Sequence, residues 1–166
     1  MANNTTFQIL TRSYGFNRAR TLALLDSIEK EANAQAVLAW RPSAGRAHIG
    51  WQLMHIGITE EIFATERLAP SKPPKWSELW SRFRGGSTPD DDVPSAKLIR
   101  DVLGESRERL LDTLTAYNDD RLGEIPPPLA ERKLSMLDVL HILSWHESHH
   151  HGQAHATLNA YRASLK

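Results

Sequence analysis

The chain reads as an all-α protein, a four-helix bundle, on three observations. Four segments repeat their apolar residues every three or four positions, no segment alternates polar and apolar residues as a half-buried strand would, and proline or glycine breaks separate the segments. Amphipathic helices that lack a sheet to cover them bury their apolar faces against one another, which favours a bundle. At 166 residues a single domain over residues 1–166 is expected.

The first helix is expected from about Phe7 to Ala32, with Phe7, Leu10, Tyr14, Leu24, Leu25 and Ile28 on its buried side. Pro42, Ser43 and Gly45 interrupt it. A second runs from about His48 to Leu68, where Trp51, His55, Ile58 and Ile62 form one stripe. A long proline- and glycine-rich connection follows, Pro70 to Pro94, with Trp76, Trp80 and Phe83 spaced for a short helix. Its acidic run, Asp90 to Asp92, reads as a solvated turn. The third helix spans about Ser95 to Asn118 on Leu98, Ile99, Val102, Leu103, Leu110, Leu114 and Tyr117. Pro126, Pro127 and Pro128 stop any continuation. The fourth starts at Ser135, whose hydroxyl can cap free amides while Asp138 completes a capping-box variant, and continues to about Ala163.

Composition narrows the function classes. Twenty basic residues balance twenty acidic ones, so no positive field is available for a nucleic-acid backbone or an anionic membrane, and neither partner is expected. Cysteine is absent, which removes disulfides, thiolate metal sites and a cysteine nucleophile. No apolar run approaches the roughly 20 residues needed to span a bilayer, and the polar amino terminus suggests a cytoplasmic location.

Five of the eight histidines crowd the stretch Trp145 to His155. Helical geometry separates them. With Leu143 at the stripe centre, His150 falls roughly 20° away and His146 roughly 60°, against about 80° for His151 and 120° for His155. Met136, Val139, Leu140, Ala154, Leu158 and Tyr161 share the buried stripe, so His146 and His150 point inward, while His141, His149, His151 and His155 read as surface residues. Two histidines one turn apart seldom hold a divalent ion tightly. His55 is the natural third donor because it interrupts the apolar stripe of the second helix; His48, at that helix's start, is the reserve and is expected to be exposed. Three neutral imidazoles suit zinc, nickel or iron(II) and leave coordination positions open. The bland alternative is a solvated histidine face with His55 bonded to a backbone carbonyl. Glu147, roughly 40° from the stripe centre, is expected to face inward beside the ion as an acceptor for a ligand, a general base or a weak fourth ligand.

His146-Glu147-Ser148-His149-His150 matches the zinc-protease pattern literally. A protease is nevertheless disfavoured, since no acidic residue follows Glu147 and Gly152 is one place early for the extended motif. The stretch His146 to Gln153 instead resembles the His-Glu-x-x-His-x-Gly-Gln segment of the DinB/YfiT-like superfamily of bacterial metalloproteins. Trp51-Gln52-Leu53-Met54-His55-Ile56, followed by Glu60 and Glu61, is similar to the segment around that family's first ligand. The resemblance implies an up-down-down-up bundle, a homodimer, and one divalent metal ion (zinc, nickel or iron) on His55, His146 and His150. Some relatives use low-molecular-weight thiols as cosubstrates.

A metal-dependent enzyme acting on a small-molecule substrate is therefore expected, either a thiol-dependent transferase or a hydrolase in which Glu147 takes a proton from water. The alternative is a non-catalytic metal- or small-molecule-binding module. Lys72, Lys75, Arg82 and Arg84 surround Trp76 and Trp80, which could bind an anionic substrate, although packing of the connection is the preferred reading of those tryptophans.

Overall fold

A computed structural model describes residues 5–165. Among them the structure is all-helical, without strands. The long helices are α1 (Thr6–Glu29), α3 (Ile49–Ile62), α5 (Ala96–Leu114) and α6 (Met136–Ser164); the short ones are α2 (Ala34–Ala39) and α4 (Trp80–Phe83). No described helix is long and apolar enough to cross a membrane.

Capping chemistry sets the boundaries. Ser135 and Asp138 form the expected reciprocal box at the start of α6, Thr5 and Gln8 form another on α1, and Ser95 caps α5. His48 caps α3 through Nδ1, which accepts the Trp51 amide at 2.9 Å. This corrects the expectation for His48, which is fully buried and spends its lone pair on the helix start. The first helix also ends earlier than its periodicity suggests, because Asn33 accepts the Ala36 amide and begins α2 as a separate turn.

α3 is the central element. It packs on α5 and α6, while α1 covers α6 and touches α5 and α2. Every residue of α3 except Thr59 is buried, so the single stripe read from sequence is in fact a helix covered on all sides. Gly57 permits the tight crossing with α5: a Cβ there would lie 2.8 Å from Val102 Cγ1 and 3.2 Å from the Val102 carbonyl oxygen. Past Ile62 the helix widens into a π turn, Phe63–Arg67, closed by the Leu68 amide on the Phe63 carbonyl at 3.0 Å.

The apolar core has two parts. One gathers Leu24, Leu25 and Ile28 of α1 with Leu53, Ile56, Val102, Leu103 and Leu158. The other gathers Tyr14, Phe63, Leu110, Leu114, Val139, Leu140 and Leu143. Each long helix contributes one member to a buried charge group: Arg18, Glu60, Arg107 and Glu147. Arg18 donates to Glu147 Oε1 at 2.8 Å and to Glu60 Oε2 at 2.9 Å, and Arg107 bridges the same two carboxylates. Four charges of alternating sign thus close a neutral ring across the bundle, the arrangement in which buried ions are tolerated. Arg18 also donates to the Leu103 carbonyl and Arg107 to that of Tyr14.

The connection between α3 and α5 is held by a second buried acid. Glu61 accepts the backbone amides of Lys75 at 2.8 Å and Trp76 at 3.1 Å, and the Trp80 indole at 2.9 Å. Trp76 and Trp80 consequently pack against the core, in keeping with the packing reading.

Candidate metal centre

Two helices bring the three histidines together. His55 comes from the middle of α3, and His146 and His150 from one turn of α6; their donor nitrogens all lie within 4.8 Å of one another. His55 Nε2 and His146 Nε2 are 3.0 Å apart. Zinc–nitrogen bonds of about 2.0–2.1 Å in a tetrahedron require ligand atoms about 3.3 Å apart, so the His55–His146 pair already stands near the spacing that an ion requires.

The surroundings orient the rings. His55 Nδ1 is 2.6 Å from the Phe83 carbonyl, which can only accept, so the proton sits on Nδ1 and the Nε2 lone pair faces the other histidines. His150 Nδ1 likewise donates to Gln52 Oε1 at 2.5 Å. Fixing the second ring nitrogen in this way sets tautomer and direction at metal sites generally. Trp51 stacks on His55 with centroids 4.6 Å apart, and its indole donates to the Arg82 carbonyl at 3.0 Å. The bland reading placed His55 on a backbone carbonyl; it is so bonded, yet its other nitrogen still faces the site.

Electrostatics keep the imidazoles neutral. Burial, then the charges of His55 and His150, push His146 down to about 2. Burial and then His55 push His150 to about 3. Burial lowers His55, with the Phe83 carbonyl opposing. Neutral imidazole is the form that ligates, so no proton has to be displaced at neutral pH. The remaining histidines of the cluster are elsewhere: His149 and His155 are exposed, His151 is half-buried, and His141 is exposed.

Glu147 lies on the inward face that its angle predicts. It is buried, but both carboxylate oxygens are bonded to arginine, Oε1 to Arg18 and Oε2 to Arg107. Burial alone would raise its pKa; the Arg18 and Arg107 charges overcome that and hold it below the ordinary carboxylate range. A carboxylate so engaged is a poor proton acceptor, and its evident work is to lock four helices.

Beside the histidines opens a cavity of about 470 Å³. His55, His146 and His150 line it together with Thr59, Phe63 and Ile142, and Arg67 and the exposed Arg84 and Arg132 add cationic groups. Trp76 and Trp80, whose alternative reading was as substrate contacts, do not line it. The part of the long connection that reaches the site is Phe83 to Gly85, where the Phe83 carbonyl holds His55 and a Cβ on Gly85 would be 4.0 Å from the His55 ring.

An all-helical bundle that presents three convergent, neutral histidines to an open cavity defines a class, the metal-binding helical proteins with a three-histidine donor set. Residues 14–154 match the family model of the DinB superfamily, and the chain belongs to that superfamily. The matched span includes all three histidines and all four members of the buried charge ring. Neither curated proteins nor solved structures gave a match.

Proposed function

We propose that the protein binds one divalent ion on His55, His146 and His150 and uses it to transfer a low-molecular-weight thiol to a small electrophilic substrate. The observation that carries this reading is the cavity lined by the three histidines themselves, since a purely structural ion is usually enclosed by its ligands. A divalent ion there would supply a Lewis-acid centre that lowers the pKa of a thiol or of water.

The chain's own residues favour the thiol. Among the described residues no aspartate or glutamate lines the cavity, and Glu147 is committed to Arg18 and Arg107, so hydrolysis lacks the carboxylate base it was expected to use. A thiol ionises far more readily than water and needs no such base, and arginines at the cavity margin favour thiolate. In the transfer, sulfur attacks the electrophilic carbon and a carbon–sulfur bond forms. The leaving group departs with its electron pair, and the thiol proton passes to solvent. The Phe83 carbonyl and Gln52 hold the two imidazoles in the ligating tautomer throughout.

The competing reading is an ion that only fastens α3 to α6, because the ligands come from those two helices. Metal content of untagged protein, purified without added metal, is measured for wild type, His55→Ala and His150→Ala. We expect bound metal in wild type and its loss in both variants, with metal- and thiol-dependent consumption of a model electrophile. Wild type that stays metal-free after reconstitution would sink the metal site; a loaded protein with no turnover above the metal-free control would leave the fastening reading.

A homodimer in the cytoplasm completes the proposal. Phe16 and Trp145, 64% and 61% exposed on α1 and α6, are apolar residues that a partner could cover. Light scattering that returns the monomer mass of 18.7 kDa would exclude the dimer.

A further inference from the structure

The cavity beside the histidines is cationic in a chain whose net charge is zero. Arg67 projects from the π turn, Arg84 follows α4, and Arg132 closes the 3₁₀ turn Pro127–Arg132 just before α6. Three separate segments therefore deliver guanidinium groups to one opening. Among the described residues none of the three has a carboxylate within 4 Å, although most other arginines of the chain do, including Arg18, Arg41, Arg82, Arg100, Arg107 and Arg162.

Arg67 is the best positioned of them. Its guanidinium lies 4.7 Å from the centroid of the Phe63 ring, which braces it within the π turn. Burial, then repulsion from Arg132 and more weakly from Arg84, lower its pKa against the opposing charge of Glu66. Like charges gathered with no carboxylate in contact cost free energy that a bound anion relieves, and guanidinium forks match the planar geometry of carboxylate and phosphate. Ile62, Phe63, Leu134 and Ile142 supply apolar lining in the same cavity as the arginines and the histidines.

We infer that this cavity selects a small molecule bearing a carboxylate or phosphate group, seated on Arg67, Arg84 and Arg132 with its carbon skeleton toward His55, His146 and His150. The inference deepens the proposed transfer reaction and rests on it for the reactive end of the ligand, but the anion site is a property of the arginines alone. The anion belongs either to the thiol or to the electrophile, and the chemistry that recognises it is the same.

The test is calorimetric titration of the full chain, stripped of metal so that no ion competes for the probe. Succinate and inorganic phosphate are the anionic probes, and succinamide is the neutral control. Wild type should bind an anion and not succinamide, and the double variant Arg84→Gln/Arg132→Gln should bind it at least about tenfold more weakly, as expected when charge-assisted hydrogen bonds are removed. Both arginines are exposed and unpaired, so the variant should retain the fold and the metal. Absence of anion binding in wild type, or equal binding by wild type and variant, would overturn the inference. Loss of metal binding in wild type would instead defeat the function proposed above, and the two failures are separable. Turnover then assigns the source. A KM rise in Arg132→Gln for mercaptosuccinate but not 2-mercaptoethanol puts the anion on the thiol; one for iodoacetate but not iodoacetamide puts it on the electrophile. Equal changes for charged and neutral members of both pairs would count against an anion-reading cavity.

Discussion

Replacing Glu147 by glutamine tests the assignment of this residue to the fold rather than to chemistry. The carboxylate accepts from Arg18 at 2.8 Å and from Arg107 on its other oxygen, with only 2% of its side chain exposed. Glutamine keeps the shape and removes the charge, leaving two buried arginines to share Glu60. Two charge-assisted hydrogen bonds at about 1.5–3 kcal/mol each give about 3–6 kcal/mol, and breaking a buried ion pair from one side costs about 3–5 kcal/mol. The two routes agree near about 4 kcal/mol. With a urea m-value of about 2 kcal/mol/M, the unfolding midpoint should fall by about 2 M. The assay is urea unfolding followed by circular dichroism on metal-free protein, so that loss of an ion cannot contribute. Adding Arg18→Met should recover part of the loss, since it removes the excess positive charge. A midpoint shift equivalent to less than about 1 kcal/mol, accompanied by loss of turnover, would refute the reasoning and return Glu147 to the chemistry.

Three further outcomes are expected. Gly57→Ala should destabilise the protein by about 1–3 kcal/mol despite alanine's better helix propensity, because the new methyl meets Val102 backbone as well as side chain; unchanged or higher thermal stability would show that α3 and α5 can separate freely. Gln52→Ala should weaken metal binding about 10–100-fold while the fold persists, since it frees the His150 ring to turn; competition with a chromogenic chelator measures this, and an unchanged affinity would deny Gln52 its orienting role. In metal-free protein His146 stays neutral down to about 2 whereas the unfolded chain takes up a proton near 6.5. Its contribution is therefore complete above about pH 6.5 and declines as the pH falls, by up to about 1.4 kcal/mol per pH unit. Glu147, also depressed, acts in the same direction at lower pH. A melting temperature that stays constant from pH 7.5 to pH 4.5 would contradict this.

The helical periodicity, the capping box of Ser135 and Asp138, and the inward placement of His146 and His150 were all legible in the sequence. Each depends on neighbours within about a turn or two, where helix geometry alone relates one side chain to the next. His55 was legible for a related reason: an imidazole among Trp51, Ile58 and Ile62 needs a partner. The ring of Arg18, Glu60, Arg107 and Glu147 left a fainter signal, a charged residue on the apolar face of each long helix. What the angle of Glu147 could not tell is which inward direction its carboxylate takes; Arg18 and Arg107, supplied by two other helices, decide that.

Tertiary structure alone brought Phe83 and Gly85 to the site, because a connection of irregular composition carries no periodicity from which its path can be read. The same holds for Arg67, Arg84 and Arg132. Sequence grouped Arg84 with Trp76 and Trp80, its neighbours along the chain, whereas folding pairs it with arginines from a π turn and a 3₁₀ turn on either side of α5 in sequence. By itself the sequence determined which residues could ligate an ion and which helices would carry them, since helical spacing converts directly into direction. Where the cavity opens, what charge it bears and which acid is already committed were decided by packing, because these depend on groups distant in sequence that meet only when the bundle closes.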